Sequence, residues 1–197
     1  MSKNSANIRK LVTLAMLVAV IVVLQTVGSG IRIGPFGLSL VLIPIVIGAA
    51  LYGPIGGGVL GAAFGIMATI GCINGTDGGG AMVFAANPAL CIVVVMAKGV
   101  LAGLAAGWIY RLLQKKNSYL AMLSAAVVCP VVNTGVFLLA MFTIFQSVLQ
   151  AWAEGGNIFL YALSGIVLVN FLPELLINVL VSPASQRVIH VVTGNKK

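Results

Sequence analysis

From Ala89 to Tyr110 the chain runs apolar for 22 residues, interrupted by a single charge, Lys98, at the tenth. A helix of that length crosses a bilayer. At 1.5 Å per residue, Lys98 then stands more than about 13 Å from either end. A lysine stem reaches only about 6 Å, so its ammonium stays below the interface. Left alone at that depth it costs at least roughly 2.5–3.5 kcal/mol. Lys98 therefore requires a partner or a wet cavity, and whatever answers it is expected near the function.

The rest of the composition agrees with a bilayer setting. Of 197 residues, 60% are hydrophobic and only 7% are charged, against about 25% charged in a soluble domain. The net charge of +8 is gathered rather than spread. Lys3, Arg9 and Lys10 precede the first apolar run, Arg111, Lys115 and Lys116 follow the run containing Lys98, and Arg187, Lys196 and Lys197 close the chain. Alternation over six crossings puts all three groups on one side, with Arg32, Asp77 and Glu154 on the other. That pattern orients both termini to the cytoplasm, beside anionic lipid. It does not describe a nucleic-acid surface. Cys72, Cys91 and Cys129 have no paired spacing and imply neither a disulfide nor a metal. The N-terminal apolar run is long and no small-x-small cleavage site follows it, so it is expected to remain as a span.

Hydropathy and turn residues predict six helices, at about 8–27, 38–51, 55–72, 89–113, 119–145 and 158–181. The expected fold is an all-α integral membrane protein, a six-helix bundle in a single domain. The second helix is short and the third carries Gly57, Gly61 and Gly65 at four-residue steps; the fourth carries Gly99, Gly103 and Gly107 likewise. Such seams let helices approach closely, and the two are expected to pack on each other. Phe64 interrupts the seam of the third helix. Ala15 and Ala19 make a smaller version of the same pattern on the first helix. The glycine- and proline-rich loop GSGIRIGPFG, with Arg32, suits a flap, and the connection from Asn74 to Pro88, with Asn87 near its end, suits a cover.

Two charges lie inside apolar runs, Lys98 and Glu174, with opposite signs and comparable depths. Asn133 and Thr134 follow Pro130 in the fifth helix and bring polar side chains to mid-membrane, where such groups mark either helix contacts or a site. Asn170, Glu174 and Asn178 form a polar stripe in steps of four. Two readings stand side by side: a Lys98–Glu174 ion pair that braces the bundle, or a ligand site in which Lys98 meets an anionic group and Asn133 and Thr134 add hydrogen bonds. The candidate site set is Lys98, Asn133, Thr134, Phe64, Asn87, Glu174 and Arg32. No nucleophile with a base, no carboxylate dyad and no GxxxxGK[ST] loop occurs, so neither an enzyme nor an ATP-binding protein is expected, nor any cofactor.

Taken in order, the basic N-terminus, Ala15-x-x-x-Ala19 and the segments IPIVIGAALYGPIGGGVLGAAFG, KGVLAGLAAG and PVVNTGVF resemble the substrate-binding S component of an energy-coupling factor (ECF) transporter. The resemblance covers nearly the whole chain. It implies capture of a vitamin or related micronutrient from outside a bacterial cell. The partners it implies are a membrane coupling protein, which docks on Ala15 and Ala19, and two cytoplasmic ATPase subunits. A cationic residue with amides and few aromatics suits a small polar carboxylate, with pantothenate the leading candidate. Riboflavin or another vitamin, a stand-alone proton-coupled carrier, and a structural membrane protein are the alternatives.

Overall fold

The computed structural model describes the backbone of residues 3–28, 32–33, 36–37 and 40–193, and the side chains of residues 7–28 and 40–192. Its elements are α1 (Lys3–Gly28), β1 (Arg32–Ile33), β2 (Phe36–Gly37), α2 (Leu42–Asn74), α3 (Gly78–Ala86), α4 (Pro88–Leu113), α5 (Ser118–Thr143), α6 (Gln146–Trp152), α7 (Ile158–Tyr161), a π-helical segment (Ala162–Phe171) and α8 (Leu172–Thr193). Among the described residues, five stretches are long and apolar enough to cross a membrane: Asn7–Gly28, Leu42–Asn74, Pro88–Leu113, Ser118–Thr143 and Ile158–Val192.

The residues predicted as helices at 38–51 and 55–72 fall mainly in α2, which consists of two helical limbs meeting at a break. Gly53 interrupts it at φ 75°, ψ −164°, a conformation open in practice only to glycine. The Arg111 guanidinium also fills the space where a Cβ at Gly53 would stand, and its Nη2 donates to the Tyr52 carbonyl at 3.4 Å. Pro54 follows at a position where a helix start needs no N–H. The chain folds back at this point. A Cβ at Gly57 would come within 2.8 Å of the Ala49 Cβ, and one at Gly48 would overlap the Leu60 side chain. In an unbroken helix residues 48 and 60 stand about 18 Å apart. The two limbs therefore lie antiparallel, side by side.

The glycine seams meet as expected. A Cβ at Gly61 would overlap the Gly99 carbonyl, and one at Gly103 the Gly57 carbonyl; a Cβ at Gly107 would lie 2.6 Å from the Pro54 Cα. These pairings run in opposite directions along the chain, so α4 is antiparallel to the second limb of α2. The helices pack backbone to backbone, which hydrocarbon side chains alone do not achieve in a membrane.

Lys10 lies over the Tyr52 ring at 5.7 Å, Arg111 holds Tyr52, and the Tyr119 and His190 rings stack at 6.3 Å. The start of α1, the α2 turn, the α4–α5 turn and the last turns of α8 thus share one end, called here the basic end. At the other end β1 and β2 pair antiparallel, Arg32 with Gly37 and Ile33 with Phe36, within the loop read as a flap. The short helices α3 and α6 were not anticipated from the sequence. They meet where Trp152 Nε1 donates to Met82 Sδ at 3.0 Å. Trp152 is 8% exposed and packs between these helices.

Candidate solute-binding site

A cavity of about 60 Å³ lies between the second limb of α2 and the helices α3, α4, α5 and α8, extending from mid-bundle toward the end opposite the basic one. Lys98, Asn133, Thr134 and Glu174 all line it. The apolar runs that carry these residues form helices because a helix satisfies every backbone group within its own segment in lipid. Their polar members then converge on the bundle interior.

The Lys98 ammonium is flanked by two rings, 5.6 Å from the Phe64 centroid and 5.1 Å from that of Phe137. Each aromatic face contributes about 0.5–2 kcal/mol to holding a cation. Lys98 and Glu174 share the cavity wall, so both readings made from the sequence, a brace and a ligand site, place the two charges in one space. Two ring contacts do not use all three ammonium N–H groups, so a donor remains for an acceptor.

On α5, Asn133 and Thr134 are each 5% exposed, and Asn133 Oδ1 and Thr134 Oγ1 have no hydrogen-bond partner. A buried polar atom left so costs about 1–3 kcal/mol. Thr134 differs here from other helical threonines of the chain. Thr13, Thr26, Thr69 and Thr143 each donate to the carbonyl four residues back, at 2.6–2.9 Å. Thr134 lines the cavity without that bond. The α5 helix remains continuous through Pro130.

Glu174 is 2% exposed, in the first turn of α8. The π-helical segment before it has a local cause. Pro173 lacks an N–H and its ring would collide with the carbonyl four residues back. The backbone instead widens, and the Leu172 N–H donates to the Val167 carbonyl, five residues back. Such widened turns gather at functional sites. Here the widened segment includes Asn170, which lines the cavity one turn before Glu174. The polar stripe read from the sequence is split: Asn178 Nδ2 donates to the Glu174 carbonyl at 2.8 Å and is spent on its own helix.

The remaining candidates fall outside the cavity wall. Phe64 is 1% exposed and acts only through its ring beneath Lys98. Asn87 is exposed and caps α4, accepting from the Leu90 N–H at 3.1 Å, so it does not join the site. Arg32 stands in β1, and its side chain lies outside the described residues. Conversely, Cys72, Asp77, Cys91, Phe137 and Asn170 line the cavity although they were not in the candidate site set. Asp77 carried a usable signal, an aspartate directly before a helix; its Oδ1 accepts from the Gly80 N–H at 3.0 Å and starts α3 over the cavity.

A multi-pass helical membrane protein with a polar, partly unsatisfied chamber between its helices is built to hold a solute. The chain belongs to the substrate-specific components of ECF transporters: the family model described as "ECF transporter, substrate-specific component" matches residues 9–185. It is thus the substrate-binding membrane subunit of a transporter, a class that works with a membrane coupling subunit and ATPases. No curated protein and no solved structure matched the chain.

Proposed function

We propose that the cavity around Lys98 captures a small carboxylate-bearing vitamin, with pantothenate the leading candidate. The observation that carries this reading is the set of unsatisfied polar atoms in one cavity. Lys98 offers donors to a carboxylate, while Asn133 Oδ1 and Thr134 Oγ1 accept from hydroxyl or amide donors. Pantothenate has one carboxylate, one amide and two hydroxyls, matching both needs. Among the described residues Phe137 is the one aromatic that lines the cavity, so a flat ring system such as riboflavin's finds little to stack on. At about 60 Å³ the cavity is well below the roughly 300 Å³ at which ligand pockets begin. Loading therefore requires α3, which contributes Gly80 and Val83 to the wall, to move outward.

The whole chain acts as a single membrane domain of a bacterial cell membrane. The fold-back of α2 supports counting its two limbs as separate crossings, six in all, and the clustered basic residues support a cytoplasmic basic end with both termini on that side. Ala15 and Ala19 are exposed on α1 and serve as the docking face for the coupling protein. The exposed face supports that role over internal packing.

A thermal-shift panel of B vitamins on the purified chain tests the substrate. A ligand at a hundred times its Kd stabilises the fold by about 2.7 kcal/mol. Pantothenate is expected to give the largest shift. A larger shift with riboflavin would reassign the substrate, and none with any vitamin would refute the reading.

A further inference from the structure

At the basic end a second chamber, about 620 Å³, opens between the α4–α5 turn and the last turns of α8. Lys115 and Lys116 line it, together with Ser118, Gln186 and His190, and no acid is among its lining residues. Gln186 is 1% exposed; its Nε2 donates to Ser118 Oγ and lies 2.8 Å from His190 Nε2, while Oε1 has no hydrogen-bond partner. This chamber shares Asn117 and Tyr119 with a neighbouring groove of about 470 Å³ between α5 and α8. The groove is apolar, walled by Leu120, Leu123, Val179 and Pro183. A cationic chamber thus continues into a hydrocarbon slot through a common wall.

We propose that the two cavities together bind one anionic phospholipid. Its phosphodiester sits by Lys115 and Lys116 in the chamber, and one acyl chain lies in the α5–α8 groove. The charge selects the headgroup, because basic pockets at the ends of membrane helices attract anionic lipid. The partnerless oxygen selects further: Gln186 Oε1 needs a donor, which a polyol headgroup such as that of phosphatidylglycerol supplies and a choline headgroup does not. A free phosphate could satisfy the lysines but would leave the groove unfilled. The proposal is independent of the solute site.

The test is melting of the purified full-length chain in neutral detergent with four probes: phosphatidylglycerol, phosphatidylcholine, soluble glycerophosphoglycerol and inorganic phosphate. Phosphatidylglycerol is expected to raise Tm by about 5 °C or more at saturation, with phosphatidylcholine and phosphate giving little and the soluble headgroup an intermediate shift. The double substitution Lys115→Glu, Lys116→Glu should abolish the lipid's effect; both lysines are exposed, so the variant folds and its own Tm without lipid is the control. Leu123→Trp, at a position 39% exposed in the groove, should reduce the lipid's shift to that of the soluble headgroup. Equal shifts with phosphatidylcholine, a phosphate shift matching the lipid's, no shift at all, or a lipid shift retained in both variants would each overturn the proposal.

Discussion

Two stripes of small residues at four-residue spacing run through this molecule, and they are used in opposite ways. The glycines of α2 and α4 face each other so closely that a single methyl at Gly61 or Gly103 would meet a carbonyl of the opposite helix. Ala15 and Ala19 on α1 are exposed among the described residues, beside Leu11, Val12, Met16 and Val20. Only 11% of the apolar window of α1 is buried, against 56% for α2. The same pattern is thus consumed inside the fold in one case and left for another helix in the other. Small-residue spacing shows that close approach is possible; burial decides whether the partner is internal.

Substitutions that fill each stripe should separate the two uses. The largest effect is expected at the internal seam. Gly61→Leu should prevent recovery of folded protein, and Gly61→Ala should cost about 1–3 kcal/mol, because the obstacle is backbone and cannot rotate away. Ala15→Leu should change stability by less than about 0.5 kcal/mol. Chemical denaturation in detergent compares the three, and a comparable loss at Ala15 would erase the distinction. Next in size is function without stability: Ala15→Trp or Ala19→Trp should lower uptake by the assembled transporter at least tenfold, about 1.4 kcal/mol. Substrate affinity of the isolated chain should stay within about twofold. Vesicle uptake alongside ligand binding reads both, and loss of both together would place α1 in the binding machinery instead.

A smaller effect should distinguish two threonines. Thr69 bonds the Gly65 carbonyl, whereas Thr134 Oγ1 is unpartnered in the cavity. Thr134→Val should therefore weaken substrate binding about three- to tenfold with no loss of Tm, since a buried hydroxyl without a partner contributes nothing to the empty fold. Thr69→Val should leave affinity unchanged. Titration calorimetry and melting of both variants check the pair.

Much of this was legible because charge and amide groups in apolar runs are rare enough to stand out. Lys98, Asn133, Thr134 and Glu174 were visible for that reason, and they converge on one cavity. How Lys98 is held was not legible. Phe64 and Phe137 look like any other core aromatics, and only the packing of α2 and α5 against α4 brings both rings to the ammonium. The equal depth of Lys98 and Glu174, read from the sequence, agrees with their lining one cavity. The turn at Gly53-Pro54 was readable from its residues, but the register of the fold-back depends on Ala49 meeting Gly57. The π-helical segment was hidden because Pro173 acts on the turn before it. Asn87 misled because a residue that caps a helix has the same type as one that binds a ligand.

The most direct test of the central claim, that Lys98 holds the substrate's anionic group, is calorimetric titration of the stabilising vitamin into purified wild type and Lys98→Met. Methionine keeps the length and apolar stem, so the ring cage of Phe64 and Phe137 stays filled. Affinity is expected to fall at least tenfold in the variant, with its Tm equal to or above that of wild type because an intramembrane charge has been removed. Equal affinity in the two proteins would contradict the account.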